Sequence, residues 1–112
     1  MDCLFCKIIA GEIPSKKAYE DDLIYAFYDI NPQAPTHILV IPKQHIASMA
    51  ELDATNAAMM AHLMQKIPEI AKNADLTGGF RIVSNAGDDA CQSVHHLHFH
   101  ILGGKKLSEQ MA

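Results

Sequence analysis

Apolar and polar positions change their period several times along this chain, and each change marks an element. Leu23 to Tyr28 is apolar or aromatic on both alternating sets, which predicts a strand with two covered faces. With Ala18 to Glu20 it forms a hairpin around the acidic turn Asp21-Asp22. His37 to Ile41 is rich in β-branched residues and closes at Pro42, so it reads as a central strand; the proline-bearing stretch Asp29 to Thr36 before it is a loop. The period then lengthens to three and four, with Met60, Leu63, Met64, Ile67, Ile70 and Ala71 on one stripe behind the N-cap candidate Asp53. Pro68 lies within that stripe and predicts a kink, and Gly78-Gly79 ends the helix. Phe80 to Ser84 and Val94 to Leu102 return to strand, separated by the polar turn Asn85 to Ala90 and stopped by Gly103-Gly104. Cys3 to Ala10 predicts a short helix ending at Gly11, with Pro14 barring continuation. Strands on both sides of one long helix, joined by hairpin-like turns, predict an α+β fold: an antiparallel five-stranded sheet with one long and one short helix.

The last predicted strand carries the most informative chemistry. Of seven histidines in the chain, His95, His96, His98 and His100 fall within six positions. Alternate residues of a strand share a face, so His96, His98 and His100 would project together at steps of ~6.5 Å while Leu97, Phe99 and Ile101 turn into the core. Such a run can be a histidine-rich solvated face, a set of metal ligands, or a nucleophile with neighbours that orient it and handle protons. Imidazole suits phosphorus chemistry, since a reference pKa of about 6.5 leaves a lone pair free at neutral pH without a separate base.

Composition narrows the partners. A length of 112 residues and a mass of 12.3 kDa fit one domain spanning 1–112, and a chain this small leaves apolar surface that a second copy could cover. A net charge of -4 with no lysine- or arginine-rich stripe argues against nucleic acid as ligand. Any phosphate must then be met locally by backbone N–H groups, hydroxyls and histidines. No apolar run approaches the ~18 residues of a membrane span, the N-terminus lacks a secretory pattern, and an odd count of three cysteines fits a reducing compartment. The expected location is the cytoplasm, away from any membrane.

His96-Leu97-His98-Phe99-His100-Ile101-Leu102 resembles the motif of the histidine triad (HIT) family. Gln92-Ser93-Val94, Gly103-Gly104, Asp29 to Lys43 and Phe5 to Pro14 are similar to its histidine triad nucleotide-binding (HINT) branch, of bacterial type. The resemblance runs from about residue 3 to 106 in separate blocks in the right order. It implies a homodimer with the sheet continued across the interface. It also implies hydrolysis of purine nucleoside phosphoramidates or acyl-adenylates to an AMP- or GMP-type monophosphate, through a nucleotidyl-histidine.

By that likeness His98 is the nucleophile, flanked by His96 and His100, with His37 behind them. Ser93 and Val94 would supply backbone N–H groups to the phosphate and Ser93 a proton to the leaving group, while Asn85 and Gln92 steady phosphate or leaving group. Asp29 matches the ribose position, although an aspartate in a loop also serves to satisfy nearby backbone N–H groups. Leu4, Phe5, Ile8, Ile13, Phe27 and Ile30 match the purine slot, and core packing is the alternative role for each. Cys91 stands where the family has glycine, in the turn before Gln92.

Cys3-Leu4-Phe5-Cys6 is half a zinc site by spacing, and equally a redox pair or two buried small residues. The resemblance to bacterial members implies structural zinc on Cys3, Cys6, His45 and His96, with no cofactor needed for catalysis. Three other readings stay open: a metallohydrolase using the histidine face, a nucleotide-binding module without turnover, and a dinucleoside polyphosphate hydrolase.

Overall fold

The structure, a computed structural model, describes residues 3–111. A short helix α1 (Leu4–Ile9) opens the chain, followed by strands β1 (Lys17–Glu20), β2 (Ile24–Tyr28) and β3 (Thr36–Pro42). The long helix α2 (Ala57–Asn73) leads to β4 (Phe80–Val83) and β5 (Phe99–Gly103). All pairings are antiparallel, in the order β1-β2-β3-β5-β4. The expected α+β fold is thus found, with the last strand inserted between β3 and β4.

Alternation in β2 and β3 builds two cores, one on each face of the sheet. Ile24, Ala26, Ile38 and Val40 join Leu97, Phe99 and Ile101 under α2, which contributes Met59, Leu63, Ile67, Ile70 and Ala71. The intervening residues Tyr25, Phe27, Leu39 and Ile41 pack on the opposite face with Cys3, Phe5 and Ile8 of the α1 segment. That second, smaller core carries the histidines.

Several details differ from the sequence reading, each for a local reason. The strand expected from Val94 begins only at Phe99, because Ser93 to Leu97 runs as an irregular loop whose Leu97 amide donates to Ile46 O (2.6 Å) instead of a strand partner. Leu97, Phe99 and Ile101 nonetheless turn into the α2 core as alternation predicts. Asp53 caps a 3-10 turn, Ala54–Asn56, that feeds α2, its carboxylate accepting from the Thr55 amide. Met59 rather than Met64 faces the core, since Met59 continues the row Leu63, Ile67 and Ile70 at steps of four and three.

Helix α2 continues through Pro68 to Asn73. Pro68 and Met64, whose carbonyl lacks the donor that residue 68 would otherwise supply four positions on, both lie on the exposed side, where water can satisfy that carbonyl. The tail beyond Lys105 is tied back by Arg81, which donates to Ser108 O. Among the described residues no helix is long and apolar enough to cross a membrane.

Candidate functional site

Strands β3 and β5 set the histidines side by side. In their register Leu39 faces His100 and His37 faces Leu102, so His37 and His100 are diagonal neighbours on one face. Their rings lie 5.1 Å apart, and His37 Nε2 meets His100 Nδ1 at 2.8 Å. His98 sits 5.1 Å from His100 on its other side.

Fixed main-chain partners set the protons on these rings. The Gln33 amide donates to His37 Nδ1 (3.0 Å), so a neutral His37 carries its proton on Nε2 and donates it to His100 Nδ1. His100 in turn holds its proton on Nε2. His98 Nδ1 lies 2.7 Å from His96 O, a carbonyl that can only accept, so His98 keeps its proton on Nδ1 and its lone pair on Nε2. Neighbouring imidazoles therefore have opposite Nε2 character: a lone pair on His98 and an N–H donor on His100.

Burial, with the positive field His98 and His37 would add, pushes His100 down to about 4. His37 is also lowered by burial, against the opposing pull of Asp29. Both are neutral near pH 7.

A cavity of about 330 Å³ opens over His98 and His100, within the range of small-molecule sites. Leu4, Phe5 and Ile8 of α1, with Ile13, Phe27 and Leu39, form its apolar side; Asp29, Ser93 and Val94 lie at the polar side. One Asp29 oxygen accepts from the Asn31 amide (2.8 Å), and the other lies 3.5 Å from His37 Nε2. The aspartate thus does the loop job expected of it and still borders the cavity. Ser93 is exposed at the cavity, and among the described residues its hydroxyl has no partner within the chain.

Three sequence-assigned residues stand apart. Ile30 borders the cavity but is 91% exposed, so it can cover a ligand only from the rim. Asn85 does not line the cavity. The buried Gln92 side chain is fully committed: Oε1 accepts from the Gly87 amide (2.9 Å), and Nε2 donates to Ala47 O (2.7 Å) and Val94 O (3.0 Å). It shapes the loop instead of reaching into the cavity. Sequence reasoning missed Ala47 as its anchor, and no motif marks such a contact. Cys91 is exposed and left-handed at φ 58°, a conformation glycine adopts at no cost.

His96 is completely buried and faces away from the cavity. Its Nε2 lies 2.8 Å from Pro42 O and so carries the proton, leaving the Nδ1 lone pair aimed at Cys3, Cys6 and His45. Nδ1 is 3.3 Å from Cys3 Sγ, 3.6 Å from Cys6 Sγ and 3.2 Å from His45 Nδ1; Cys6 Sγ to His45 Nδ1 is 3.4 Å. A tetrahedral zinc with bonds of ~2.3 Å to sulfur and ~2.05 Å to nitrogen requires S···N edges of about 3.5 Å and N···N edges of about 3.3 Å. The donor set fits such an ion in both spacing and chemistry. Cys3 is the N-cap of α1 and Cys6 is in its first turn, so one short helix delivers both sulfurs. Asp29, His37 and His100 also cluster, but 2.8 Å between two imidazole nitrogens is a hydrogen bond, shorter than the spacing around a tetrahedral metal.

A two-faced five-stranded antiparallel sheet carrying paired histidines over an apolar cleft defines an α+β protein with a small-molecule-sized site on one face of the sheet. The chain belongs to the HIT domain family, whose pattern it matches over residues 10–107. It is similar to a HIT family hydrolase from Clostridium thermocellum, with 40% identity and a TM-score of 0.95, covering 99% of this chain and 97% of that one. A histidine triad protein from Clostridium difficile is 50% identical at a TM-score of 0.93, covering 98% and 96% of the two chains. A 14 kDa zinc-binding protein of Zea mays is 44% identical over 107 residues, 94% of this chain and 84% of that protein.

Proposed function

We propose that this protein hydrolyses purine nucleoside phosphoramidates and related acyl-adenylates to the nucleoside monophosphate. His98 Nε2 attacks the α-phosphorus, the bond from phosphorus to the leaving nitrogen or oxygen breaks, and the leaving group takes a proton from Ser93. Water then attacks phosphorus and the phosphorus–imidazole bond breaks with its electron pair returning to Nε2; the proton lost by that water restores the Ser93 hydroxyl, so monophosphate leaves and His98 is neutral again.

The observation that carries this reading is the bond from His98 Nδ1 to His96 O. It aims the Nε2 lone pair, and the carbonyl dipole offsets the positive charge that the ring gains once phosphorus is attached. His100, neutral with Nε2–H beside it, donates to a phosphate oxygen without needing to be protonated. The apolar side of the cavity takes the base, and the Asp29 carboxylate, which keeps unused lone pairs beside the Asn31 amide and His37, takes the ribose hydroxyls.

Cys3, Cys6, His45 and His96 hold a structural zinc, whose four protein ligands leave no open position for chemistry. This assigns His96 to the metal by its side chain and to catalysis only by its carbonyl. The name of the maize relative supports zinc. The protein acts as a homodimer in the cytoplasm, and the edge strand β4, with Phe80 and Ile82 exposed, is the surface offered for the second copy.

Turnover of adenosine 5'-phosphoramidate, with mass spectrometry of the quenched enzyme, tests the mechanism. The parent should show a nucleotidyl adduct on His98, and His98→Asn should lose at least ~10³-fold in kcat while still binding AMP. Unchanged turnover in His98→Asn, or abolition by chelators with His98 intact, would refute it. A dinucleoside polyphosphate in the same assay checks the competing substrate class.

A further inference from the structure

The metal cluster and the nucleophile are described above as neighbours with separate tasks, yet one side chain touches both. Phe5 is buried at 4% exposure on α1, between the two cysteines in sequence. Its ring meets His96 edge-on at 5.9 Å and 68°, and meets His98 edge-on at 5.1 Å and 87°. A third edge contact, to Phe27 at 5.5 Å, closes it against β2. Phe5 therefore stands between the ring that ligates and the ring that attacks, while also lining the cavity.

Helix α1 has six residues, too short to hold its place by its own hydrogen bonds. It is fixed by packing in the smaller core and, at its first turn, by Cys3 and Cys6. Drawing both sulfurs to one ion with His45 and His96 would fix the helix in rotation as well as position. The residue between them then has a single orientation.

We infer that Phe5 is a positioning residue that couples the Cys3–Cys6–His45–His96 centre to nucleotide binding and to the alignment of His98. This rests on the zinc reading proposed above. The consequence is reciprocal: metal occupancy tightens nucleotide binding, and nucleotide tightens metal binding by the same factor. Loss of the metal acts first on affinity, through a loosened α1 wall, and second on the His98 ring.

The test uses the full chain and starts with metal content per chain. Zinc affinity is then measured by competition with a chromophoric chelator, without and with saturating AMP, in the parent, Phe5→Leu and Phe5→Met. AMP should tighten zinc by roughly 5- to 20-fold in the parent. In both variants one zinc per chain is retained, and the factor falls within about twofold of unity. Histidine ring spectra by ¹⁵N NMR should show His98 shifting on zinc loading in the parent and far less in the variants. An equal factor in parent and variants removes Phe5 from the coupling, and a factor of one in the parent overturns the coupling itself. A protein that takes up no zinc at all fails the metal reading instead, and the first measurement shows which has failed.

Discussion

Replacing Gln92 by glutamate separates a loop-shaping role from direct contact with substrate. Gln92→Glu keeps the shape and the Oε1 acceptor for the Gly87 amide, but puts an oxygen where Nε2 now donates to Ala47 O and Val94 O. Two carbonyls beside a buried side chain lose their donor and face a like partial charge. Each such group costs about 1–3 kcal/mol, so the unfolding free energy at pH 7.5 should fall by roughly 2–6 kcal/mol. For 112 residues that corresponds to about 4 °C in Tm for each kcal/mol.

The pH dependence has a definite sign. Burial among acceptors raises the new carboxyl in the folded state, and a protonated carboxyl can donate to one of the two carbonyls. The folded protein then binds more protons than the unfolded one, so the loss should shrink as pH falls toward the ordinary glutamate range. Urea denaturation at pH 7.5 and pH 5.5, alongside phosphoramidate kinetics, measures both. A variant within about 0.5 kcal/mol of the parent at pH 7.5 but with a raised KM would refute the reasoning and return Gln92 to the ligand.

Three further outcomes are expected. His100, lowered to about 4 by burial and its histidine neighbours, stays neutral in the fold while the unfolded chain takes up a proton near pH 6.5. Its stabilising contribution is therefore complete above pH ~6.5 and lost as pH falls toward 4, with a slope of at most about 1.4 kcal/mol per pH unit; His100→Gln should flatten that part of a denaturation-versus-pH curve. His45→Ala should weaken zinc by more than ~100-fold, since losing mere outer supports of a metal site already costs 10- to 100-fold, and metal competition reads it directly. Leu63→Ala, at a fully buried position of the α2 core, should cost about 2–5 kcal/mol in urea denaturation while leaving KM near the parent value.

Periodicity alone located all five strands and the long helix, because two-sided strands such as Ile24–Tyr28 and a stripe at three- and four-residue steps have few competing explanations. It overextended β5, since Val94 to Leu97 alternates like a strand while its main chain bonds to Ile46 across the fold. That bond joins residues 51 positions apart and leaves no local trace. The stripe on α2 was off by one methionine because Met59 and Met64 flank Leu63 at four residues and one residue, and only Met59 continues the row Met59, Leu63, Ile67, Ile70 that faces the sheet. Among site residues the run His96, His98 and His100 was legible from its chemistry and spacing, whereas the grouping of Cys3 and Cys6 with His45 and His96, and of His37 with His100, came only from the family resemblance. The role of Gln92 was not legible, since a glutamine that binds phosphate and one that binds carbonyls are spelled the same way.

The partner of His98 Nδ1 is a main-chain oxygen, and that has a genetic consequence. No side-chain substitution at position 96 deletes the acceptor, so an allele there strips one ligand from the thiolate centre without removing the anchor of the attacking ring. Alleles at the two positions thus differ in kind: one at position 96 keeps that anchor and reaches the chemistry only through the metal centre and Phe5, whereas one at position 98 removes the attacking ring itself.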